Sequence, residues 1–207
     1  MTSVTVKTYP SPKILHLSIT IATLTSLPQA KGTWDLVAYL LAQYPALGDA
    51  GLSGYSFLFD NFTNPFGPSS PLVSGVLASV ALQDTSDPND MLKLWGPILE
   101  HVNATWPGFA VAPNITAYRS FWDWYQPNKD SFAAGKNQYT CSRLLDAKAL
   151  AGDRNVTRDA FREFSASGAG TAYLVSGKGV WEAKPRGGSN AVLPAWRKAY
   201  VHASECK

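Results

Sequence analysis

Residues 53–62 read SGYSFLFDNF and residues 72–83 read LVSGVLASVALQ, with a Pro-, Gly- and Ser-rich stretch between them. Tyr55, Phe57 and Phe59 alternate with other residues, so one face of an extended strand carries all three rings. The second segment is the expected hairpin partner of the first, because two strand-like segments joined by turn-forming residues pair locally. These two segments predict antiparallel sheet.

Upstream of this hairpin the sequence predicts two more strands and a helix. Residues 13–25 alternate apolar residues with Ser, Thr and His, and Ser3 to Tyr9 alternate in the same way before a Pro-Ser-Pro break. A helix is expected from Thr33, which can cap it, to about Pro45 or Gly48. Its apolar face is formed by Trp34, Val37, Leu41 and Tyr44.

Downstream, Asp87 and Pro88 predict the start of a second helix, with Asp as the cap and Pro in the first turn. Its inward-facing residues are Met91, Leu94, Trp95, Ile98 and Val102. Further expected elements are a short strand near Phe109 to Val111, a helix from Thr157 to about Ser165, a strand from Ala172 to Val175, and a last helix from Pro194 that presents Trp196 and Tyr200. Strands that pair locally and alternate with helices predict an α+β fold, an antiparallel sheet backed by helices.

The bulk composition describes a protein with a sizeable core. Of 207 residues, 45% are hydrophobic and 16% are charged, which is unlike a disordered chain. The net charge of +3 is spread along the sequence, so nucleic acid is not an expected partner. The longest apolar stretches are shorter than the roughly 20 residues of a membrane helix, and no membrane association is expected.

Two sequence signals for the cellular compartment disagree with each other. Asn-x-Ser/Thr sequons at Asn61, Asn103, Asn114 and Asn155 favour a secreted glycoprotein. The first residues, however, lack the pattern of a signal peptide. Cys141 and Cys206 can form one disulfide or remain two free thiols, and they have no metal-ligand spacing.

The sequence offers few signs of side-chain chemistry. His16, His101 and His202 lie in strand or helix contexts and are interpreted as structural or surface residues. No Gly-x-Ser-x-Gly elbow, dinucleotide fingerprint or P-loop occurs. Asp84, Asp87 and Asp90 lack the spacing of a calcium loop and are interpreted as turn and cap residues. No metal site is expected.

Two aromatic groups remain as candidates for a ligand surface. Tyr55, Phe57 and Phe59 would form either a pocket wall or part of the core. A second group could form a platform for a flat substrate, but its helical spacing favours core packing. That second group consists of Tyr118, Phe121, Trp122, Trp124 and Tyr125.

Three segments resemble a family of known proteins. Residues 2–10 (TSVTVKTYP), 142–146 (SRLLD) and 179–197 (GVWEAKPRGGSNAVLPAWR) occur in the order and approximate spacing of similar segments in FAD-linked oxidoreductases of the berberine-bridge-like type. The resemblance is to the fungal branch that includes isoamyl alcohol oxidase-like proteins with a PCMH-type flavin domain. The third segment, similar to the family's "GSNAVNPAWR", is the most specific.

The resemblance implies how this chain relates to such an oxidase. Residues 1–10 would be the closing strand of the FAD-binding domain, and residues 11–207 a partial substrate-binding domain that roofs the substrate over the flavin. The segments that bind FAD in the family precede residue 1, and others follow Lys207. The chain is therefore expected not to bind FAD alone, and no catalytic or cofactor-binding residue can be assigned to it. The resemblance also implies a leader preceding the flavin domain, which would place the parent in the secretory pathway.

Two functional hypotheses follow. In the first, the chain is the substrate-side portion of an FAD-dependent oxidoreductase that acts on alcohols, sugars or secondary-metabolite intermediates, and is inactive alone. In the second, it is a stand-alone small-molecule-binding or scaffold protein derived from such an oxidase. In either case we expect a small-molecule ligand. Under the first hypothesis, apolar sheet edges left exposed should also lead to self-association.

Overall fold

The structure is a computed structural model of the 207-residue chain. It describes residues 3–6, 8, 10–63, 71–129, 139–166, 169–175, 180, 182–184 and 193–206. Among these residues, no helix is both long enough and apolar enough to cross a membrane.

The described strands form one antiparallel sheet. In chain order they are β1 (Ile14–Leu24), β2 (Ser53–Phe62), β3 (Val73–Gln83), β4 (Ala110–Tyr118), β5 (Thr140–Asp146), β6 (Ala169–Leu174) and β7 (Ala199–Cys206). The order across the sheet is β4-β1-β3-β2-β6-β7-β5. The predicted hairpin of β2 and β3 is confirmed and lies at the centre.

The helices are α1 (Thr33–Asp49), α2 (Pro88–Thr105), α3 (Phe121–Asn128), α4 (Ala147–Leu150) and α5 (Arg154–Phe164), with short 3-10 turns at Pro28–Gly32 and Pro194–Arg197. α1 and α2 pack against one face of the sheet, where Leu17, Leu58 and Val76 are buried. The expected α+β class, an antiparallel sheet backed by helices, is therefore confirmed.

One hydrogen bond ties the central helix to the central strands. The hydroxyls of Tyr44 on α1 and Ser56 on β2 are hydrogen-bonded in the core, and burial raises the pKa of Tyr44 to about 12. A buried hydroxyl without a partner would be costly, so this pair fixes α1 against β2.

Glycine allows the strands on either side of β3 to approach closely. Gly75 has φ 154°, and a Cβ atom there would lie 2.1 Å from the carbonyl oxygen of Ile21 on β1. Gly54 has φ 146°, and its Cβ would lie 2.2 Å from the carbonyl oxygen of Ser79. Any side chain at either position would push neighbouring strands apart.

The two main helices differ in how well their limits were predicted. Asp87 caps α2 by accepting a hydrogen bond from the backbone N–H of Asn89, as expected. The expected capping by Thr33 was wrong, because a 3-10 turn precedes α1 and the Thr33 hydroxyl donates back to the carbonyl of Ala30 at 2.7 Å. α1 continues through Pro45 and ends at Asp49, one residue beyond the predicted limit at Gly48.

The expectation of a last helix at Pro194 that presents Tyr200 was wrong. Pro194–Arg197 is only a 3-10 turn, and Tyr200 lies in β7. Residues 199–206 form a strand because β6 and β5 offer backbone partners on both sides. The strand near Phe109 is longer than expected and extends to Tyr118, since it pairs with β1 along most of its length.

The strand expected over Ser3 to Tyr9 is absent from the described residues of that segment. Residues 3–6 have no strand partner, and Val4 and Val6 are 70% and 72% exposed. Alternation alone does not form a strand when no neighbouring backbone is available.

Candidate functional site

The side of the sheet opposite α1 and α2, called the open face below, is the candidate site. Side chains alternate across a strand, so the open face carries the residues between the buried core positions. One line of directly paired residues crosses five strands of this face and is called the central row. It consists of Ser18, Ser79, Tyr55, Tyr173 and His202.

A second row runs beside the central row. It consists of Thr20, Leu77, Phe57, Thr171 and Ser204. Neither row contains Asp, Glu, Lys or Arg, and all ten side chains are half-buried. A sheet face that meets water normally carries charged residues, so this composition is typical of a surface that faces a ligand or another part of a protein.

Tyr55, Phe57 and Phe59 share one face of β2 as predicted, but their rings differ in exposure. The rings of Tyr55 and Phe57 lie on the open face in an edge-to-face contact, 5.3 Å between centroids. Phe59 is only 7% exposed and packs against Phe62, with 5.9 Å between centroids. Two of the three rings are thus placed where a ligand could contact them.

The core interpretation of the second aromatic group was wrong. α3 buries none of its residues, and Phe121, Trp122 and Tyr125 are 46%, 62% and 40% exposed. α3 is only two turns long and lies at the β1 and β4 end of the sheet, where Trp124 contacts His16 on the open face. Among the described elements α3 packs mainly on β1 and β4, which cover only one of its sides.

His16 is the most enclosed polar group of the open face. It is 6% exposed, its Nε2 atom lies 2.8 Å from the Ser79 hydroxyl, and the ring of Trp124 meets it edge-on at 6.1 Å. Burial lowers the pKa of His16. Burial therefore favours the neutral imidazole, and the hydrogen bond to it orients the Ser79 hydroxyl in the central row.

Three residues at the other end of the central row were not predicted from the sequence to lie at the open face. The His202 ring stacks on Tyr173 at 5.9 Å and contacts Trp196 at 5.2 Å. The alternating segment from Ala199 to Ser204 was the available signal, but Pro194 suggested a helix instead. His101, in contrast, lies on α2 and stacks on Tyr39 at 4.4 Å, away from the open face.

All four sequon asparagines lie at exposed positions. Asn61 ends β2 with a φ of 54°, Asn103 lies on α2, Asn114 on the edge strand β4, and Asn155 on α5. Exposure is what a glycan acceptor requires, and glycosylation remains a prediction.

The clustered aspartates have structural roles. Asp87 caps α2, and Asp84 occupies a turn with φ 63°. The carboxylate of Asp90 accepts hydrogen bonds from Thr85 and Lys93, and these lower its pKa. Within the described ranges, no three His, Cys, Asp or Glu residues are grouped so that they could hold a metal ion.

The starts of the three longest helices do not offer the phosphates of FAD an open site. One common dinucleotide site is a glycine-rich turn that leads into an accessible helix N-terminus. Here the start of α1 is covered by Trp106, whose Cδ1 would lie 3.3 Å from a Cβ at Gly32. The starts of α2 and α5 are capped by the carboxylates of Asp87 and Asp153, which would repel phosphate.

Comparison with known proteins gives a consistent result. The chain is 28% identical over 213 residues to an uncharacterized FAD-linked oxidoreductase of Arthroderma benhamiae and 26% identical over 200 residues to an FAD-linked oxidoreductase of Hypomyces subiculosus. These alignments cover 98% and 93% of this chain. This chain is similar in sequence to proteins named FAD-linked oxidoreductases. No family model matches it.

The fold is similar to that of a solved flavoprotein. The chain superposes on a VAO-type flavoprotein of Myceliophthora thermophila with a TM-score of 0.76 and 24% identity, over 94% of this chain and 34% of that protein. It also spans about a third of the curated relatives, 34% and 31% of their lengths. The region shared with these FAD-linked proteins is thus a minor part of each of them.

Proposed function

We propose that the chain is the substrate-side portion of an FAD-dependent oxidoreductase of the berberine-bridge-like type. Its substrates would be alcohols, sugars or secondary-metabolite intermediates, and it would be inactive without the flavin-binding portion. Residues 1–10 would close the flavin domain, and residues 11–207 would form a partial substrate domain. The flavin supplies the redox chemistry in such proteins, while the protein binds and orients the substrate.

The uncharged open face carries this proposal. Among the described residues, α1 and α2 pack on the other face of the sheet, yet the two rows of the open face lack the charged residues of a solvated sheet face. The relatives are about three times as long as the stretch they share with this chain, so they have ample chain to cover such a face. Substrate would then lie between the open face and the flavin-binding portion, in contact with the central row.

The exposed sequons support a location in the secretory pathway. Four acceptor asparagines lie on the surface, on separate elements of the fold. We therefore expect the parent protein to be a secreted glycoprotein, a proposal that treatment of the expressed protein with an N-glycosidase would test by a loss of mass.

Flavin binding tests the proposal directly. The chain alone, incubated with FAD and gel-filtered, should show no flavin absorbance, because the starts of α1, α2 and α5 offer no open phosphate site. Co-expressed with the flavin-binding portion of the Arthroderma benhamiae relative, it should co-purify with bound flavin. Stoichiometric binding of FAD by the chain alone would contradict the proposal that the chain does not bind this cofactor without the flavin-binding portion.

A pair of substitutions tests the role of the open face in that assembly. Phe57→Lys places a charge in the middle of the open face and should abolish co-purification, because a buried unpaired charge is costly. Val156→Lys places the same charge on α5, where Val156 is 66% exposed, and should leave assembly intact. Equal assembly of both variants would show that the open face is not the interface.

A further inference from the structure

A cleft with charged walls lies between the end of β2 and the connection from β1 to α1. It has a volume of about 400 Å³. The residues that line it include Thr25, Ser26, Leu27, Pro28, Lys31 and Asp60. Clefts of roughly 300–1,000 Å³ commonly hold small molecules in proteins. This cleft is therefore large enough for a ligand of its own.

The Asp60 carboxylate in this cleft is fixed in position by neutral donors. The indole N–H of Trp34 on α1 donates to its Oδ2 atom at 3.3 Å, and the Ser74 hydroxyl on β3 donates to its Oδ1 atom at 2.5 Å. Asp60 is half-buried, yet no cation pairs with it among the described residues. A carboxylate accepts about four hydrogen bonds, so Asp60 retains sites for a cationic donor.

Lys31 supplies the opposite charge in the same cleft. It lies in the last turn of the 3-10 segment Pro28–Gly32, and its side chain is exposed. It forms no ion pair with Asp60 or with any other residue that the structure describes. The flexible stem of a lysine lets its ammonium group follow a bound anion. The cleft thus carries one unneutralised charge of each sign.

These two charges determine the class of ligand. A ligand with only a positive charge would be repelled by Lys31, and a ligand with only a negative charge would be repelled by Asp60. A ligand with both charges pairs with both residues through charge-assisted hydrogen bonds. Leu27 and Pro28 add an apolar wall. We infer that the cleft binds an α-amino acid with an apolar side chain, with its ammonium group on Asp60 and its carboxylate on Lys31.

This site is separate from the open face, because Asp60 bonds to Trp34 of α1 and the cleft therefore lies on the helix side of the sheet. The inference does not rest on the proposed function. Its test uses the chain as it is, labelled with ¹⁵N, and four probes: L-leucine, 3-methylbutylamine, 4-methylpentanoate and glycine. The amine is leucine without its carboxylate, the acid is leucine without its ammonium group, and glycine lacks the side chain. The indole N–H signal of Trp34 reports binding.

Leucine should shift this signal to saturation and bind at least about tenfold more tightly than each other probe, since only leucine pairs with both charges and meets the apolar wall. Asp60→Asn should weaken leucine binding at least about tenfold and strengthen that of 4-methylpentanoate, because the repelling charge is removed. Lys31→Gln should weaken leucine binding and strengthen that of the amine for the same reason. Lys148→Gln is the matched control, because Lys148 is exposed on α4 and lies outside the cleft.

Four results would overturn the inference: no saturable shift with leucine, equal affinities for leucine and the amine, equal affinities for leucine and glycine, or an affinity for leucine that Asp60→Asn and Lys31→Gln both leave unchanged. Lys31 is exposed, so Lys31→Gln keeps the test decisive if Asp60→Asn disturbs folding. An equal loss of leucine affinity in Lys148→Gln would also overturn it, because the effect would then come from net charge and not from the cleft.

Discussion

At the scale of single residues, His16 shows how the fold changes the meaning of a side chain. In the sequence it is one more polar residue of an alternating strand. In the structure it is enclosed by Trp124 and Tyr118, bonds to Ser79, and has a lowered pKa because of burial. Folding therefore favours the neutral form of the His16 imidazole.

This burial predicts a dependence of stability on pH. The unfolded chain binds a proton at His16 near its ordinary pKa of about 6.5, whereas the folded chain resists protonation to lower pH. Stability should therefore be unaffected by His16 above that pH and should fall as the pH decreases below it. Urea unfolding at neutral and mildly acidic pH should show a smaller decrease for His16→Gln than for the unchanged chain.

The matched control for His16 is His101→Gln, because His101 is exposed on α2. It should retain the pH dependence of the unchanged chain. An identical decrease in His16→Gln and in the unchanged chain would reject the assignment of this dependence to His16.

At the scale of elements, α2 and α3 differ in what stabilises them. α2 has a capping carboxylate, Pro88 in its first turn, and four buried apolar residues, so its local signals agree with its packing. α3 has a Ser120 cap and stacked aromatic rings, but it buries no residue. We expect the stability of α3 to increase when another portion of the protein covers its outer side.

Removing the cap tests the local contribution to α2. Asp87→Ala should lower the free energy of unfolding by about 0.5–2 kcal/mol, because the N–H of Asn89 loses its acceptor. Asp87→Ser should lose much less, since a serine hydroxyl also accepts this bond. Chemical denaturation of the three proteins measures the difference, and equal losses for both variants would show that the cap bond is not the cause.

At the scale of the whole molecule, the open face and the sheet edges determine how the chain behaves in solution. β4 is an edge strand that Pro113 partly protects, because proline removes a backbone donor. β5 forms the other edge, and Phe57 and Leu77 lie half-buried on the open face. These surfaces favour contact between copies of the chain when no other portion covers them.

We expect the chain to self-associate with increasing concentration, and sedimentation velocity would measure this. Leu77→Lys should reduce association by placing a charge on the open face, whereas Val156→Lys on α5 should not. A single monomeric species at all concentrations, with cooperative unfolding, would argue against an incomplete domain and would favour the stand-alone binding protein.

The sequence by itself determined the local structure. The alternation of Tyr55, Phe57 and Phe59 predicted β2, and the turn residues after it predicted its pairing with β3. Asp87 and Pro88 predicted the start of α2. It also predicted the α+β class. Only the tertiary structure decided that Tyr55 lies beside Tyr173 and His202, that residues 199–206 form a strand, and that α3 is exposed. The physical reason is that periodicity is set by neighbours along the chain, whereas partners distant in sequence and the layer that covers each face are chosen by packing of the whole sheet.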